Sequence, residues 1–351
     1  MKKNLVLFTI LLISLSCFAQ KPLPAKHPKN VILLIGDGMG AAQIYAGLTA
    51  NKGHLNLERC TSVGFHKNQA ADAYVTDSGA GATAFAIGYK AKNGAIGVDA
   101  NDKPQPTILE IAGKNGLASG LVVTCTITHA TPACFYAHQV SRSMEEEIAA
   151  DMLKSNVDVF IGGGQKFFTQ RKDGRNLIQE LKAKNYQIAD STADLSQFKK
   201  GKLAAFTAND QPKKIAEGRG DQLLTSTQTA LRLLDQNKKG FFLMVEGSQI
   251  DWGGHANDAQ YIINEMVDFD KSIGAALDFA EKDGNTLVII TADHETGGFS
   301  LIDGDMKTGR VEGKFTTGHH TGVMIPVFAF GPGAEAFSGI YENNTIFHKM
   351  L

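Results

Sequence analysis

The sequence predicts an α/β fold, a single domain whose central and largely parallel sheet is covered by helices on both faces. Short apolar runs that end in glycine or a polar residue recur along the chain, as is typical of buried strands leading into loops. Helical patterns separate these runs, and strands that alternate with helices form parallel sheets. With 351 residues, of which 43% are hydrophobic and 20% charged, the chain can bury one large core. No internal repeat or linker divides it.

The apolar runs and the helical patterns define the predicted elements. The predicted strands are residues 30–35, 117–124, 157–161, 241–245, 286–291 and 325–330. The predicted helices are residues 107–114, 144–154, 225–237 and 258–282. In the last helix, apolar residues recur at helical spacing from Ile262 to Leu277, which predicts a stripe that packs on the core. The lysine-rich segment 165–214 has the weakest pattern and is predicted to be a surface excursion.

Residues 1–19 are predicted to be a secretory signal peptide, and residues 20–29 a lead-in to the folded domain at 30–351. Lys2 and Lys3 precede an apolar stretch, and the small residues Cys17 and Ala19 suit cleavage after Ala19. The stretch is too short for a stable membrane span. The protein is therefore expected to be exported, either periplasmic or secreted, without a transmembrane span. Lipid attachment at Cys17 stays open as an alternative.

Charge and cysteine content narrow the class of protein further. The net charge of −1 and the lack of a long basic block in the sequence argue against a nucleic-acid partner. Three cysteines, Cys60, Cys125 and Cys134, remain after the predicted cleavage. An odd number in an exported chain excludes a complete disulfide framework, so buried thiols are favoured. A bridge between Cys125 and Cys134 stays open.

The run at residues 75–84 sets a hydroxyl beside a carboxylate and follows both with small residues and helix formers. Ser78 is therefore expected at an exposed helix N-terminus, where backbone N–H groups and the helix dipole attract anions. That environment suits a serine that attacks a phosphate. Asp-Ser-Gly is also a common N-cap in a turn, so this run alone does not decide between the two interpretations.

Acids and histidines placed just after the predicted strands suggest a metal centre. Asp251 and His255 lie four residues apart, Asp293 and His294 are adjacent, and His319-His320 adds imidazoles in a loop rich in glycine and threonine. Such Asp and His mixtures suit Zn²⁺. Carboxylates with a hydroxyl suit Mg²⁺, and this set comprises Asp37, Thr131 and Glu246. Each pair alone could equally be a turn acid beside a capping histidine, but several groups at successive strand ends favour ligation.

Together these motifs resemble those of the alkaline phosphatases, and especially the compact cold-active bacterial type, over nearly the whole mature chain. The matching segments are Gly36-Asp37-Gly38, Thr76-Asp77-Ser78, residues 129–142 with Thr131 and Arg142, residues 245–255 with Glu246, Asp251 and His255, Thr291-Ala292-Asp293-His294, and His320-Thr321-Gly322.

The resemblance implies a single catalytic domain at 30–351 that binds two Zn²⁺ and one Mg²⁺. The implied ligands are Asp251, His255 and His320 for one Zn²⁺, then Asp37, Asp293 and His294 for the other with Ser78 at its open position, and Asp37, Thr131 and Glu246 for Mg²⁺. Ser78 would be the nucleophile that carries a phosphoserine intermediate. Arg142 would grip the phosphate and Asp77 would orient Arg142. A homodimer is implied as well.

Two residues depart from the family pattern. His129 stands where some relatives carry an acid, and Trp252 stands where others carry lysine or histidine. Both are expected just outside the metal ligands, where they would tune metal preference, phosphate release and the pH optimum without changing the reaction. A core position for Trp252 is the alternative. The chain is also shorter than many relatives, so the site is expected to be open.

The implied activity is hydrolysis of small phosphate monoesters. One alternative is a phosphodiesterase or phosphonate hydrolase of the same superfamily, and the other is a metal-binding or phosphate-binding protein without turnover. Arg142 and the magnesium ligands argue against the first, because diesters lack the dianionic charge that those groups serve. The presence of Ser78 with a full ligand set argues against the second.

Overall fold

The computed structural model describes residues 27–351. The predicted signal peptide, Cys17 and all but the last three residues of the predicted lead-in lie outside this part of the chain. Within residues 27–351, no helix combines the length and the apolarity that crossing a membrane would require.

The chain from Asn30 onward alternates strands with helices. The strands are β1 Asn30–Gly36, β2 Ser62–Lys67, β3 Ala118–Thr126, β4 Val159–Gly163, β5 Tyr186–Ala189, β6 Lys202–Phe206, β7 Phe241–Gly247, β8 Thr286–Thr291, β9 Glu295–Thr296, β10 Ser300–Asp305, β11 Arg310–Lys314, β12 His320–Thr321, β13 Ile325–Phe330 and β14 Gly339–Glu342. The α-helices are α1 Ala41–Ala50, α2 Ser78–Ile87, α3 Ile108–Lys114, α4 Ala130–Ala133, α5 Glu145–Ser155, α6 Lys166–Thr169, α7 Leu177–Ala183, α8 Gln222–Leu234, α9 Ile250–His255, α10 Ala259–Asp283 and α11 Thr345–Met350. Short 3₁₀ turns cover Asn56–Arg59, Leu195–Gln197, Ile215–Glu217 and Ala334–Phe337.

Ten of these strands form one sheet in the order β14-β2-β13-β8-β1-β7-β3-β4-β6-β5. From β8 to β5 every neighbouring pair is parallel. Strand β13 is antiparallel to both of its neighbours, β8 and β2. The predicted α/β fold with a largely parallel sheet is therefore confirmed. Two small pairs, β10 with β11 and β12 with β9, stand apart from the sheet.

Alternate residues of the central strands pack in two separate cores, one on each face of the sheet. In β1, Leu33 and Ile35 pack in one core while Ile32 and Leu34 pack in the other. Helices α2, α3, α5, α7 and α11 cover the first face, and α1, α8 and α10 cover the second. The predicted apolar stripe from Ile262 to Leu277 is fully buried in the second core.

The structure corrects three details of the sequence prediction. The segment 165–214 is more than a surface excursion, because its strands β5 and β6 extend the main sheet at one edge. The helix predicted at 225–237 begins three residues earlier, at Gln222. Finally, β13 runs against the other strands, so its C-terminal end does not reach the sheet edge where the polar residues meet.

The cysteines of the described chain are free thiols. Cys125 and Cys134 are buried and Cys60 is half-buried. The favoured interpretation of unpaired thiols is confirmed, and the bridge between Cys125 and Cys134 that the sequence left open does not form.

Candidate metal centre and active site

Four neighbouring parallel strands bring the candidate residues together at their carboxyl ends. In spatial order these strands are β8, β1, β7 and β3. The candidate residues at these ends are Asp293 and His294 after β8, Asp37 after β1, Glu246 near the end of β7, and His129 and Thr131 in the turn and short helix after β3. The carboxyl edge of a parallel sheet is where such folds bind ligands, as the sequence predicted.

Ser78 is the first residue of helix α2, and Asp77 is its N-cap. The Asp77 carboxylate accepts hydrogen bonds from the backbone N–H groups of Ala80 at 2.9 Å and Gly94 at 3.0 Å. Both interpretations of this run therefore hold at once, since one residue caps the helix while the next presents its hydroxyl. The expectation of an exposed Ser78 was wrong, because only 2% of it is accessible. Its hydroxyl points into the carboxylate cluster below the helix.

The small residues after Ser78 allow α2 to approach the strand ends closely. A Cβ atom on Gly81 would lie 3.0 Å from Cβ of Asp293, and one on Gly79 would lie 3.0 Å from the carbonyl oxygen of Ala95. Larger side chains would push the helix away from the sheet and would move Ser78 with it. The run of glycine and alanine is thus a packing requirement of the site.

Three buried side chains and Ser78 surround one point with the spacing of metal ligands. His294 Nε2 lies 3.2 Å from Asp293 Oδ2, 3.4 Å from Asp37 Oδ1 and 3.2 Å from Ser78 Oγ. Ligands held about 2.0–2.1 Å from a tetrahedral Zn²⁺ are about 3.3 Å apart. Asp293 Oδ2 is buried without a hydrogen-bond donor, as a ligand atom would be. We call this arrangement the buried position.

Asp251, His255 and His320 form a second arrangement with similar spacing, which we call the exposed position. Asp251 Oδ2 lies 3.4 Å from His255 Nε2, and Asp251 Oδ1 lies 3.6 Å from His320 Nε2. The two Nε2 atoms are 3.1 Å apart. The Nδ1–H of His255 donates to the Gly318 carbonyl at 2.8 Å, and that of His320 to the Thr76 carbonyl at 2.9 Å. With Nδ1 donating in each ring, both Nε2 atoms face the same point, which suits a cation.

Thr296 links the two positions and was missed by the sequence analysis. Its hydroxyl donates to Asp251 Oδ1 and accepts from the Nδ1–H of His294 at 3.2 Å. That second hydrogen bond fixes the His294 tautomer with the Nε2 lone pair toward Ser78. The rings of His294 and His320 also stack, with centroids 3.6 Å apart. A threonine two residues after an Asp-His pair was the signal that could have found it.

Glu246 and Thr131 form a third position beside Asp37. Both residues are fully buried, and Glu246 Oε1 and Thr131 Oγ1 have no hydrogen-bond partner. Unpaired buried oxygens of this kind are uncommon in folded proteins. Burial raises the pKa of Glu246 to about 7, with a further contribution from the Asp293 carboxylate. A hard cation that accepts carboxylate and hydroxyl oxygens would satisfy these atoms.

Burial and mutual repulsion dominate the electrostatics of the cluster. The pKa of Asp37 is raised well above its ordinary value by burial and then by the carboxylates of Asp293, Asp251 and Glu246. Burial, assisted by the nearby His320, holds the pKa of His294 well below its ordinary value. Carboxylates packed this closely away from water require compensating positive charge. The donor set therefore fits bound divalent cations at all three positions.

Arg142 lies beside the cluster and is held by Asp77. Its Nη1 donates to Asp77 Oδ2 at 2.9 Å, and its Nη2 lies 3.4 Å from His129 Nε2. Burial disfavours the ionised forms of both Arg142 and Asp77. The Asp77 carboxylate nevertheless raises the pKa of Arg142, and the Ala80 N–H and Arg142 lower the pKa of Asp77. An ionised guanidinium fixed at one end in this way can offer its remaining N–H groups to an anion near Ser78.

Trp252 and His129 pack against each other beside these ligands. Their ring centroids are 6.3 Å apart at an interplanar angle of 72°. Burial, with Arg142 nearby, lowers the pKa of His129 to about 3, so its ring is neutral. Trp252 is half-buried, between the predicted rim position and the alternative core position. The glycines that follow it lie inside helix α9, where Gly254 allows a close approach to Thr296, so they serve packing and not a turn.

Comparison with known proteins agrees with this geometry. The family model for alkaline phosphatase matches residues 28–314. Alkaline phosphatase 3 of Bacillus subtilis (strain 168) is 36% identical, with 91% of this chain and 87% of that protein aligned. The structure of alkaline phosphatase from the Antarctic bacterium TAB5 is 47% identical with a TM-score of 0.89, and 93% of this chain and 98% of that chain are covered. For the cold-active enzyme of the psychrophile Shewanella sp., identity is 33%, the TM-score is 0.85, and coverage is 92% and 98%.

The family match spans most of the chain, and the two structural matches cover 93% and 92% of it. The resemblance to the compact cold-active type, inferred from motifs, is confirmed. This chain belongs to the alkaline phosphatase family and is an enzyme of that class.

Proposed function

We propose that this chain hydrolyses phosphate monoesters in two steps, with Ser78 as the nucleophile and phosphoserine as the intermediate. The observation that carries the proposal is the position of Ser78 Oγ. It lies 3.2 Å from His294 Nε2, 3.4 Å from the nearer Asp37 oxygen, and at the N-terminus of α2. A ligand cluster on one side of the hydroxyl and a helix N-terminus on the other support its role as the group that attacks phosphorus.

The residues of the three positions would hold two Zn²⁺ and one Mg²⁺. Asp37, Asp293 and His294 would hold one Zn²⁺. Asp251, His255 and His320 would hold the other, and Asp37, Thr131 and Glu246 would hold Mg²⁺. When bound, these ions would lower the pKa of the Ser78 hydroxyl and neutralise charge on the attacking and departing oxygens. The cluster of carboxylates and imidazoles with ligand spacing supports this assignment.

Arg142 would orient the phosphate for attack. With Nη1 engaged by Asp77 and Nη2 beside His129 Nε2, the remaining guanidinium N–H groups would grip two non-bridging phosphate oxygens. That grip would stabilise a dianionic monoester more than a diester, which has one negative charge fewer. His129 lies beside Arg142, Trp252 packs on His129, and this pair would help to set the position of the guanidinium. Neither would touch the reacting atoms.

One experiment distinguishes the proposed monoester hydrolysis from the two alternatives, diester or phosphonate hydrolysis and binding without turnover. Purified protein would be assayed on p-nitrophenyl phosphate and on bis-p-nitrophenyl phosphate, with an acid quench to trap labelled phosphoserine. Faster monoester turnover together with label on Ser78 supports the proposal. Faster diester turnover would instead favour a phosphodiesterase or phosphonate hydrolase of the same superfamily. Stoichiometric phosphate binding without turnover would identify a binding protein.

The domain boundaries and the export of the protein are part of the proposal. The catalytic domain is assigned to residues 30–351, since its first strand begins at Asn30. Residues 1–19 are assigned as a signal peptide and 20–29 as a lead-in, which would place the enzyme in the periplasm or outside the cell. N-terminal sequencing of the mature protein tests cleavage after Ala19. A lipid-modified Cys17 at the mature N-terminus would contradict it.

We also propose a homodimer, as the family resemblance implied. Strands β2 and β14 expose Phe65 and Ile340, which are register partners, and Met324 precedes β13 on the neighbouring strand. These side chains are 38%, 64% and 50% accessible and form an apolar surface at the sheet edge. Analytical ultracentrifugation should detect a dimer in the parent enzyme that Ile340→Glu weakens. A monomer at micromolar concentration would contradict the proposal.

A further inference from the structure

Residues 91–96 contact both the turn that carries Ser78 and the segment that carries Arg142. We call these residues the bridging segment. None of them is a candidate ligand or reacting group, and the sequence analysis assigned them no role. At the end of the bridging segment, Ile96 exchanges two backbone hydrogen bonds with Gln139, each 2.9 Å long. The bridging segment is therefore fixed to the chain that leads into Arg142.

The side chain of Asn93 makes two hydrogen bonds to the turn before Ser78. Its Nδ2 group donates to the Val75 carbonyl at 3.0 Å, and its Oδ1 accepts from the Asp77 N–H at 2.8 Å. An amide can donate and accept in this way at once. The backbone N–H of Asn93 also donates to the Asp72 carboxylate at 3.0 Å. Asn93 thus holds the backbone of the residue that directly precedes Ser78. Because Asn93 is exposed, removing its amide would leave no cavity in a core.

Gly94 continues this connection from the turn to Arg142. Its N–H donates to Asp77 Oδ1 at 3.0 Å, and its carbonyl accepts from the Arg142 N–H at 2.7 Å. Arg142 Nη1 donates in turn to Asp77 Oδ2 at 2.9 Å. These three hydrogen bonds close a ring through Asp77, Gly94 and Arg142. Gly94 has a φ of +79°, a left-handed conformation that glycine adopts without steric cost. The ring therefore joins the nucleophile turn and the phosphate grip through the bridging segment.

We propose that Asn93 is a positioning residue that fixes the orientation of Ser78 relative to the guanidinium of Arg142. The inference rests on the proposed function, in which Ser78 attacks a phosphate that Arg142 holds. The attacking oxygen, the phosphorus and the departing oxygen must lie roughly in line. A displaced turn would therefore misalign the hydroxyl even when the phosphate stays bound, and a misplacement of about 1 Å can cost about 10²-fold in rate.

The contacts of Asn93 predict a selective defect when its side chain is removed. Asn93→Ala loses both hydrogen bonds to the turn, but it leaves the ring through Gly94 and the bond between Asp77 and Arg142 in place. The proposed metal ligands belong to other elements, so the bound ions should remain. Phosphate should therefore still bind, whereas its transfer to Ser78 should slow.

The rate of phosphoserine formation tests this prediction. Rapid acid quench with radiolabelled p-nitrophenyl phosphate gives both the rate and the fraction of enzyme that becomes labelled. In Asn93→Ala we expect the rate to fall about 10- to 100-fold. The labelled fraction, the metal content and the inhibition by inorganic phosphate should stay as in the parent. Asn115→Ala is the matched control and should behave as the parent, because Asn115 is also exposed and its amide donates to the Ile111 carbonyl of its own helix.

A double-mutant cycle with Arg142→Ala separates positioning from a general loosening of the structure. If Asn93 aligns Ser78 with a phosphate that Arg142 holds, its effect should largely disappear once Arg142 is removed. Asn93→Ala should then slow phosphoserine formation by no more than about twofold in the Arg142→Ala background. Losses that multiply would show that Asn93 acts independently of Arg142 and would overturn the proposal.

The proposal is also overturned if Asn93→Ala forms phosphoserine at the parent rate, or if only the labelled fraction falls. If Asn93→Ala does not fold, Asp72→Ala takes its place, since it removes the acceptor of the Asn93 N–H. Asp72→Ala should slow phosphoserine formation by a smaller factor, and an unchanged rate would overturn the proposal. Failure of the proposed function is seen in the parent enzyme itself. Turnover without label on Ser78 would remove the mechanism and this inference with it, whereas a labelled parent with an unaffected Asn93→Ala would remove the inference alone.

Discussion

The buried position and the exposed position have nearly the same ligand spacing in very different surroundings. At the buried position, Asp37, Asp293 and His294 are 0% accessible. At the exposed position, the His255 side chain is 40% accessible. Two carboxylates confined without water need a cation or protons, so the ion at the buried position should be part of the folded state. An ion beside exposed His255 can exchange with solvent. Ions with similar coordination are thus expected to stay bound for different times, because the ligands of the two positions differ in their exposure to water.

We expect chelation to produce the largest loss of activity. It directly tests the difference between the buried position and the exposed position. With a chelator such as EDTA, we expect the exposed position to lose its ion first and the buried position only later, with activity abolished at the first loss. Time-resolved metal analysis beside activity measurements gives the order. Zn²⁺ and Mg²⁺ together should restore activity better than either ion alone. Recovery with Mg²⁺ alone would contradict two positions built on histidine, and simultaneous release would remove the distinction between them.

Ser78→Ala should lower kcat by at least about 10³-fold while metal content stays unchanged. In the proposed mechanism the hydroxyl is the attacking group, whereas Asp37, Asp293 and His294 would be enough to hold the ion. Steady-state kinetics on p-nitrophenyl phosphate and metal analysis measure the two effects. Ser141→Ala, a nearby serine whose hydroxyl bonds only within its own turn, is the matched control and should behave as the parent. Label trapped on a residue other than Ser78 would refute the assignment.

Arg142→Ala should weaken inhibition by inorganic phosphate roughly 10- to 150-fold, because a charge-assisted contact contributes about 1.5–3 kcal/mol. Monoester turnover should fall far more than diester turnover. Arg142→Lys should recover only part of the loss, since an ammonium group cannot bind two oxygens in a fixed plane. Inhibition constants and kcat/KM on both substrate types provide the measurement. Equal losses on both would show that Arg142 does not contact the terminal phosphoryl oxygens.

Thr296→Val should reduce zinc affinity by roughly 10- to 100-fold, the usual effect of losing a hydrogen bond to a metal ligand. Because Thr296 touches Asp251 and His294, both positions should weaken together. Competition with a chromophoric chelator measures each affinity. Thr227→Val in α8 is a matched control, since Thr227 is equally buried but its hydroxyl has no partner. Weakening of one position only would show that Thr296 does not couple them.

The smallest effects are expected for His129→Asp and Trp252→Lys. Both residues lie beside the ligands and not among the reacting groups, so a few-fold change in Mg²⁺ dependence, phosphate inhibition and pH optimum is expected. His129→Asp adds an oxygen ligand near Glu246 and should strengthen Mg²⁺ binding. Magnesium titrations and pH–rate profiles report these shifts, with Ser78 phosphorylation intact. A variant that matches the parent in all three measurements would place its residue outside the site's influence.

Local sequence patterns predicted much of the fold correctly. The helix predicted at 258–282 forms at 259–283, since Asp258 caps its start and Gly284 ends it in the left-handed conformation. Strand β8 has the predicted bounds. These elements carry their own start, stop and periodicity signals. The predicted ligands also come together, because the carboxyl ends of neighbouring parallel strands share one edge.

Contacts between distant segments were not predictable in this way. Strands β5 and β6 are short and lie in a lysine-rich segment, so their place in the sheet depends on the edge that β4 provides. The carbonyls of Gly318 and Thr76 orient His255 and His320. Because every residue has a backbone carbonyl, the residue types at these positions could not predict this role.

The sequence by itself determined the fold class and placed the candidate ligands directly after successive apolar runs, because hydrophobic periodicity and residue chemistry are local properties. Only the tertiary structure decided that Ser78 is buried, that Thr296 joins the buried and the exposed position, and that Cys125 Sγ lies 3.3 Å from Glu246 Oε2. Each of these facts depends on the packing of segments far apart in the chain. Burial and hydrogen bonding depend on distances in space, so a residue's accessibility and partners are known only from the folded structure.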